Sequence, residues 1–200
     1  MAIDDLVVSF FVDEVVGGFF ISVPPGHVAC IYDRGRGVLG RVWGPGLHLK
    51  IPFWQIAKLF NGQILEYTIT EGFKLEPSEA LGDKAINATT KDGRLIQIEG
   101  SVLFRINKTR APQIWENIGE GFVSKVVRPV SRSRIGSIVS KIEAADLVNQ
   151  RNEIEKHVKD ELNESFLDKG LICEGFLLSE VKDLGKSQSS RDDKILLSNK

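Results

Sequence analysis

From Ile86 to Ile106 the chain reads INATTKDGRLIQIEGSVLFRI, and its second half changes character with nearly every residue. Ile96, Ile98, Val102, Phe104 and Ile106 fall on one face, while Gln97, Glu99, Ser101 and Arg105 fall on the other. That period of two predicts a strand with one buried and one wet side. Leu95 and Leu103 interrupt the polar face, which extends cover to part of it. Ahead of this strand, Asp92-Gly93 separates two extended arms, and Asp-Gly favours the pair of positive-φ residues in a type I′ hairpin turn. Nearer the amino end, Val28 to Tyr32 is β-branched and aromatic and predicts a buried strand ending at Asp33. Gly35 to Gly46 is turn-rich. Leu47 to Phe53, LHLKIPF, alternates apolar with polar, and Pro52 ends that strand or sets it on an edge. Ile56 to Thr70 continues as extended chain.

After Ile106 the period changes. Ala111 to Ile142 predicts short helical pieces, with Gly119 and Gly121 as a break and Pro129 distorting any helix that runs through it. Glu143 to Lys169 is the best helix: Leu147, Ile154, Val158, Leu162 and Phe166 form one apolar stripe among charged and amide residues. Gly170 suits the left-handed position just past its end. Leu171 to Val181 resumes as a strand, and the remainder is polar. Strands, then helices, then a strand argue for an α+β fold.

Leu6 to Gly26 is rich in Val and Phe, yet Asp13 and Glu14 interrupt it. A carboxylate at mid-bilayer costs roughly 2.5–3.5 kcal/mol, and a spanning helix wants about 20 mostly apolar residues. The stretch also lacks the basic start and small-residue cleavage site of a signal peptide. A shallow membrane-contacting segment, a defective anchor and a folded apolar strand all remain open. The 200 residues, 42% hydrophobic and 26% charged, suit an ordinary globular fold. A net charge of −1 gives no whole-molecule attraction to nucleic acid or acidic lipid. Cys30 and Cys173 stand far apart in apolar runs, as buried free thiols do.

Candidate chemistry is sparse. Gly35-x-Gly37-x-x-Gly40 spells a dinucleotide fingerprint, but the third glycine should open a helix. Here Gly-Pro-Gly and a strand follow it, so a glycine-rich β-turn is the reading. His27, His48 and His157 lie in three unrelated settings without metal-ligand spacing, and no G-x-S-x-G elbow marks a nucleophile. No catalytic residue, cofactor or metal ligand is assigned. Lys125, Arg128, Arg132, Arg134 and Lys141 form a basic run interleaved with Val and Ile. We read it as the solvated face of an amphipathic helical region, with no stacking aromatics to hold nucleic acid.

Taken in order, these features resemble a known family. VPPGHVACIYDRGRGVLGRVWGPGLHLKIPF is similar to the opening of the band 7 (SPFH) domain shared by stomatin, prohibitin and flotillin. There V-x-x-G-x-x-x-V is followed by an R-G turn and P-G-x-H-x-x-x-P. TTKDGRLIQIEGSVLFRI resembles its hairpin strand, and the stretch from Ile118 to Val181 its helical half and final strand. IYDRGRGV, IGEGFVSKVVRPV and LVNQRNEIEKHVKDEL look most like prohibitin. The resemblance covers Val23 to Val181.

What it implies is an antiparallel, strongly curved β-sheet followed by helices packed against it and a final strand. The implied organisation is an apolar membrane-contacting segment at 1–22, a prohibitin-like domain at 23–181 and a polar tail at 182–200. It further implies a non-enzymatic, membrane-associated scaffold without cofactor. Its implied partners are membrane lipid, further copies or related band 7 subunits, and a membrane-anchored AAA protease, with no nucleic acid. Phe10, Phe11, Phe19 and Phe20 are the implied lipid contacts. Two departures qualify this: Asp13 and Glu14 favour an interfacial placement over a spanning one, and the family's usual coiled coil is missing after Val181. A soluble band 7 interaction module without an anchor is the alternative.

Overall fold

The computed structural model describes residues 18–72 and 81–186. They divide between two units, one built from residues 18–63 and 105–122, the other from 64–72, 81–104 and 123–186.

The first unit is mostly strand. β2 (His27–Asp33) runs between β3 (Gly37–Trp43) and β5 (Gln55–Asn61), antiparallel to both. The stretch read as turn-rich therefore holds a full strand. β3 mixes the strand formers Val38, Val42 and Trp43 with Gly37 and Gly40, and its pairing with β2 orders it, with an irregularity in register between Cys30 and Tyr32. Gly37 turns the hairpin at a φ of 78°, a conformation that suits glycine. A two-stranded ribbon pairs β1 (Phe20–Val23) with β4 (Gly46–Leu49), setting Phe20 opposite Leu49 and Ile21 opposite His48. Ile21, Val23, Ala29, Ile31 and Ala57 form the buried core, with Leu39, Trp43 and Leu59 packed on it. Helix α1 (Ala111–Asn117) carries Pro112 in its first turn, where no intrahelical donor is needed. It packs on β2 and β3, and Trp115 meets Phe60 edge to face at 6.4 Å.

The second unit has a five-stranded sheet and three helices. β10 (Leu171–Lys186), β9 (Arg94–Ile106), β6 (Leu65–Ile69) and β7 (Gly82–Asp83) lie in that order, and β8 (Ile86–Thr89) also pairs with β9. β6 and β8 run antiparallel to β9, but the short β7 lies parallel to β6. The all-antiparallel expectation is corrected to a mixed sheet.

The apolar face of β9 is buried as its period requires. Gln97, Glu99 and Ser101 on the other face are buried too, so cover extends well beyond Leu95 and Leu103. Glu99 accepts hydrogen bonds from the Thr70 hydroxyl at 2.7 Å and the Lys182 ammonium at 3.2 Å. Those donors hold its carboxyl below the usual range. The hairpin forms where Asp92-Gly93 places it, but its turn is not type I′. Only Gly93 of that pair has positive φ. Gly93 N–H donates to Thr90 C=O and Thr90 N–H to Arg94 C=O, which makes a three-residue loop closed by a left-handed glycine.

The expected long helix is two, α3 (Ala144–Asn149) and α4 (Arg151–Leu167), divided at Gln150, whose φ of −114° and ψ of 36° leave the helical region. All five stripe residues are buried, and Gly170 takes a φ of 78°. Upstream, Val123–Val127 forms a π-helical turn, and α2 (Arg128–Val139) starts with Pro129 in its first turn. α2 packs on α4 and β8, and α4 on β10.

Two side chains of α4 also serve β10. The Leu178 N–H donates to the Glu155 carboxylate at 2.9 Å, and the Cys173 N–H to the Asn163 carbonyl at 3.1 Å. Cys30 and Cys173 are buried free thiols, their pKa values pushed by burial to about 12 and about 11.

Candidate functional site

The alternation of LHLKIPF runs the opposite way from the ordinary case. A half-buried strand turns its apolar side chains to the core and its polar ones to water. Here Leu47, Leu49, Ile51 and Phe53 are 65%, 66%, 55% and 69% exposed, whereas Lys50 is 2% exposed and His48 half-buried. Pairing with β1 fixes this choice. Ile21 and Val23 occupy the core side of the ribbon, so their cross-strand neighbours share it, and Phe20 and Leu49 share the other side. His48 is held inward by stacking on Trp43, with ring centres 5.1 Å apart, and by a 2.7 Å contact between Nε2 and the Gly44 carbonyl.

Past β4 the ridge continues through a tight turn. Trp54 N–H donates to Pro52 C=O at 2.7 Å, and Phe53 between them has a φ of 61°. This is the positive-φ γ-turn, the rarer and more strained kind. Phe53 alone among the described non-glycine residues has positive φ. A bulky residue in this region costs about 1–3 kcal/mol and persists only where its surroundings enforce it. Trp54, 51% exposed, and Phe19, whose carbonyl accepts the Lys50 N–H at 2.8 Å, complete the ridge.

Asp33 holds this tip together. Its buried carboxylate accepts hydrogen bonds from the Gly35 N–H, the Arg36 guanidinium and the Gln55 amide, each at 3.0 Å. Gln55 Oε1 in turn accepts the Ile51 N–H at 3.1 Å. The Arg36 guanidinium, followed by the Gln55 amide, keeps the Asp33 carboxyl far below the usual aspartate range. The β2–β3 turn and the β4–β5 loop are thus tied into one rigid apex.

The remaining candidates fall elsewhere. Gly35, Gly37 and Gly40 lie in the β2–β3 hairpin, with strand on both sides and no helix after them. His27, His48 and His157 sit on β2, β4 and α4, and among the described residues no group of three His, Cys, Asp or Glu gathers as metal ligands. The basic run is not a freely solvated face. Arg128 and Arg132 lie 3.5 and 3.1 Å from the Asp83 carboxylate, and Arg134 lies 3.8 Å from Glu161. The period could not show this, because those acids come from β7 and from α4.

Against known proteins, the model of the SPFH domain / Band 7 family matches residues 21–188. The chain belongs to the SPFH/band 7 family. It is 28% identical to mouse (Mus musculus) Prohibitin 1 over 167 residues, covering 84% of this chain and 56% of that protein. It is 27% identical to Prohibitin-1 of Saccharomyces cerevisiae over 160 residues, 80% of this chain and 50% of the relative. Mouse Prohibitin-2 is 26% identical over 163 residues, 80% and 49%. The chain spans about half the length of the curated relatives it matches. It is a prohibitin-like band 7 domain, with the ridge near the start of the matched region.

Of the four phenylalanines assigned to lipid, Phe10 and Phe11 lie outside the described residues. Phe19 is 38% exposed, and Phe20 is half-buried on the outward side of the band 7 ribbon, opposite Leu49. Sequence reasoning missed Leu47, Leu49, Ile51, Phe53 and Trp54. For the first four the signal was the same period of two, which separates two faces without saying which one meets water; Trp54 lies outside that period. No described helix of this band 7 domain is long and apolar enough to cross a membrane.

Proposed function

We propose that this chain is a membrane-associated, non-enzymatic prohibitin-like scaffold that seats its apolar ridge in the interfacial layer of a bilayer. The observation that carries the reading is the reversed alternation of β4, which spends large apolar side chains on the outside of a rigid apex. Exposed apolar residues scattered singly are normal, whereas contiguous ones mark an interaction surface. Trp54 and Phe53 are the amphipathic and bulky types that suit the membrane–water boundary. Phe19 and Phe20 join the ridge to the amino-terminal segment, whose Phe10 and Phe11 extend the same apolar contact. Held this way, the domain gathers further copies or related band 7 subunits, and through them organises membrane proteins or regulates a membrane-anchored AAA protease.

The test is flotation of the full chain with neutral phosphatidylcholine vesicles. The wild type is expected to float, and the double variant Leu49→Glu/Phe53→Glu to stay at the bottom with an unchanged circular dichroism spectrum. A truncation of residues 1–17, which leaves β1 whole, is expected to float more weakly but still to bind. Wild-type protein that stays monodisperse without detergent and never floats would instead favour the second reading, a soluble interaction module whose ridge is covered by protein. The interrupting Asp13 and Glu14 motivate that alternative.

A further inference from the structure

The ridge has a charged neighbour that the whole-chain charge conceals. Residues 18–63 carry Arg34, Arg36, Arg41, Lys50 and Lys58 against a single acid, Asp33, a net charge of +4 in a chain that totals −1. Two of these cations are fastened to the apolar apex. The Arg34 N–H donates to the Trp54 carbonyl at 3.1 Å. A Cβ added at Gly35, between the two arginines, would lie 3.4 Å from the Trp54 ring, so the turn rests against the indole. Arg36 is held through Asp33 and Gln55 to the backbone of Ile51. Both arginines are exposed, and Arg34 pairs with no carboxylate among the described residues.

We infer that the ridge selects anionic lipid: Arg34 and Arg36 meet headgroup phosphate and carboxylate while Phe53, Trp54 and Ile51 enter the acyl boundary beneath. This rests on the reading above and adds the lipid class to it. An interfacial surface gains affinity from buried apolar area plus attraction to anionic lipid, and a fixed Arg fork matches phosphate oxygens better than a point charge does. The apex matters because it fastens the backbone of Arg34 and the guanidinium of Arg36 beside the apolar groups.

The experiment is co-sedimentation of the full chain with vesicles of phosphatidylcholine alone and of phosphatidylcholine mixed with phosphatidylserine. Each basic side chain at such a surface is worth about fivefold in partition. The wild type is therefore expected to favour the mixed vesicles, and Arg34→Gln, which disturbs no carboxylate, to lose about fivefold on them with little change on neutral ones. Lys141→Gln/Lys156→Gln, which removes twice that charge from exposed positions in the second unit, is expected to leave binding unchanged. Equal wild-type binding to both vesicle types would overturn the selectivity and leave the membrane reading standing. An equal loss from the Lys141/Lys156 pair would reduce the effect to net charge and also overturn it. Binding to neither would sink the membrane reading itself.

Discussion

Leu49 and Ile21 belong to the same two-stranded ribbon, one facing out and the other in, and truncating each should produce opposite phenotypes. Full burial of a side chain this size is worth about 1.5–3 kcal/mol. With 66% of Leu49 in water, about 1–2 kcal/mol of that transfer remains to be collected at a membrane, and about 0.5–1 kcal/mol has been spent on folding. Leu49→Ser should weaken partition onto phosphatidylcholine vesicles about five- to thirtyfold, while shifting the thermal midpoint by only about 1–4 °C in a chain of this length. Ile21 is 0% exposed. Ile21→Ala removes core contacts and leaves a cavity, at about 2–5 kcal/mol, without touching the ridge; its folded fraction should bind vesicles as the wild type does. Vesicle titration and thermal unfolding followed by circular dichroism read the two quantities separately. The reasoning fails if Leu49→Ser costs as much stability as Ile21→Ala, because the side chain would then be a core residue. It fails equally if partition does not change.

Two further outcomes follow from the packing. Gly100 lies on β9 where an added Cβ would stand 2.5 Å from the Leu177 carbonyl oxygen and 3.3 Å from the Phe176 ring. Gly100→Ala should therefore cost about 1–3 kcal/mol in a urea melt, whereas Gly136→Ala on α2, with open space at that position, should gain up to about 1 kcal/mol. The carboxylate of Asp33 is stabilised in the folded state, so its contribution is present above the ordinary aspartate range and is lost as pH falls through that range toward the folded value. Urea midpoints of wild type and Asp33→Asn should consequently differ at pH 7 and converge in acid; a gap independent of pH would refute the role given to the charge.

The legible parts of the fold are those where local pattern and tertiary context agree. The stripe from Leu147 to Phe166 announces the helical face because nothing competes for it, and Gly170 ends the helix as its freedom of φ allows. Asp92-Gly93 marks the hairpin, but not its turn type: the loop takes three residues, and Asp92 instead accepts the Ala144 N–H at 3.1 Å. β3 was hidden because Gly37 and Gly40 break up its strand formers Val38, Val42 and Trp43, and a neighbouring strand supplies the order. The break at Gln150 carries no glycine or proline to announce it. For the candidate site, the alternation of Leu47 to Phe53 was visible and its sense was not. That sense is set by Ile21 and Val23, more than twenty positions earlier in the chain, and the positive φ of Phe53 is a property of the closed loop rather than of any dipeptide.

The bonds from Glu155 and Asn163 to the backbone of β10 bear on crowding. At high local protein density, an open row of amides on a sheet rim invites a visiting strand. On this rim the donors of Leu178 and Cys173 are already occupied by a helix from the same molecule. A visiting strand would find those two amides already taken, which makes this stretch of β10 a poor place for strand addition.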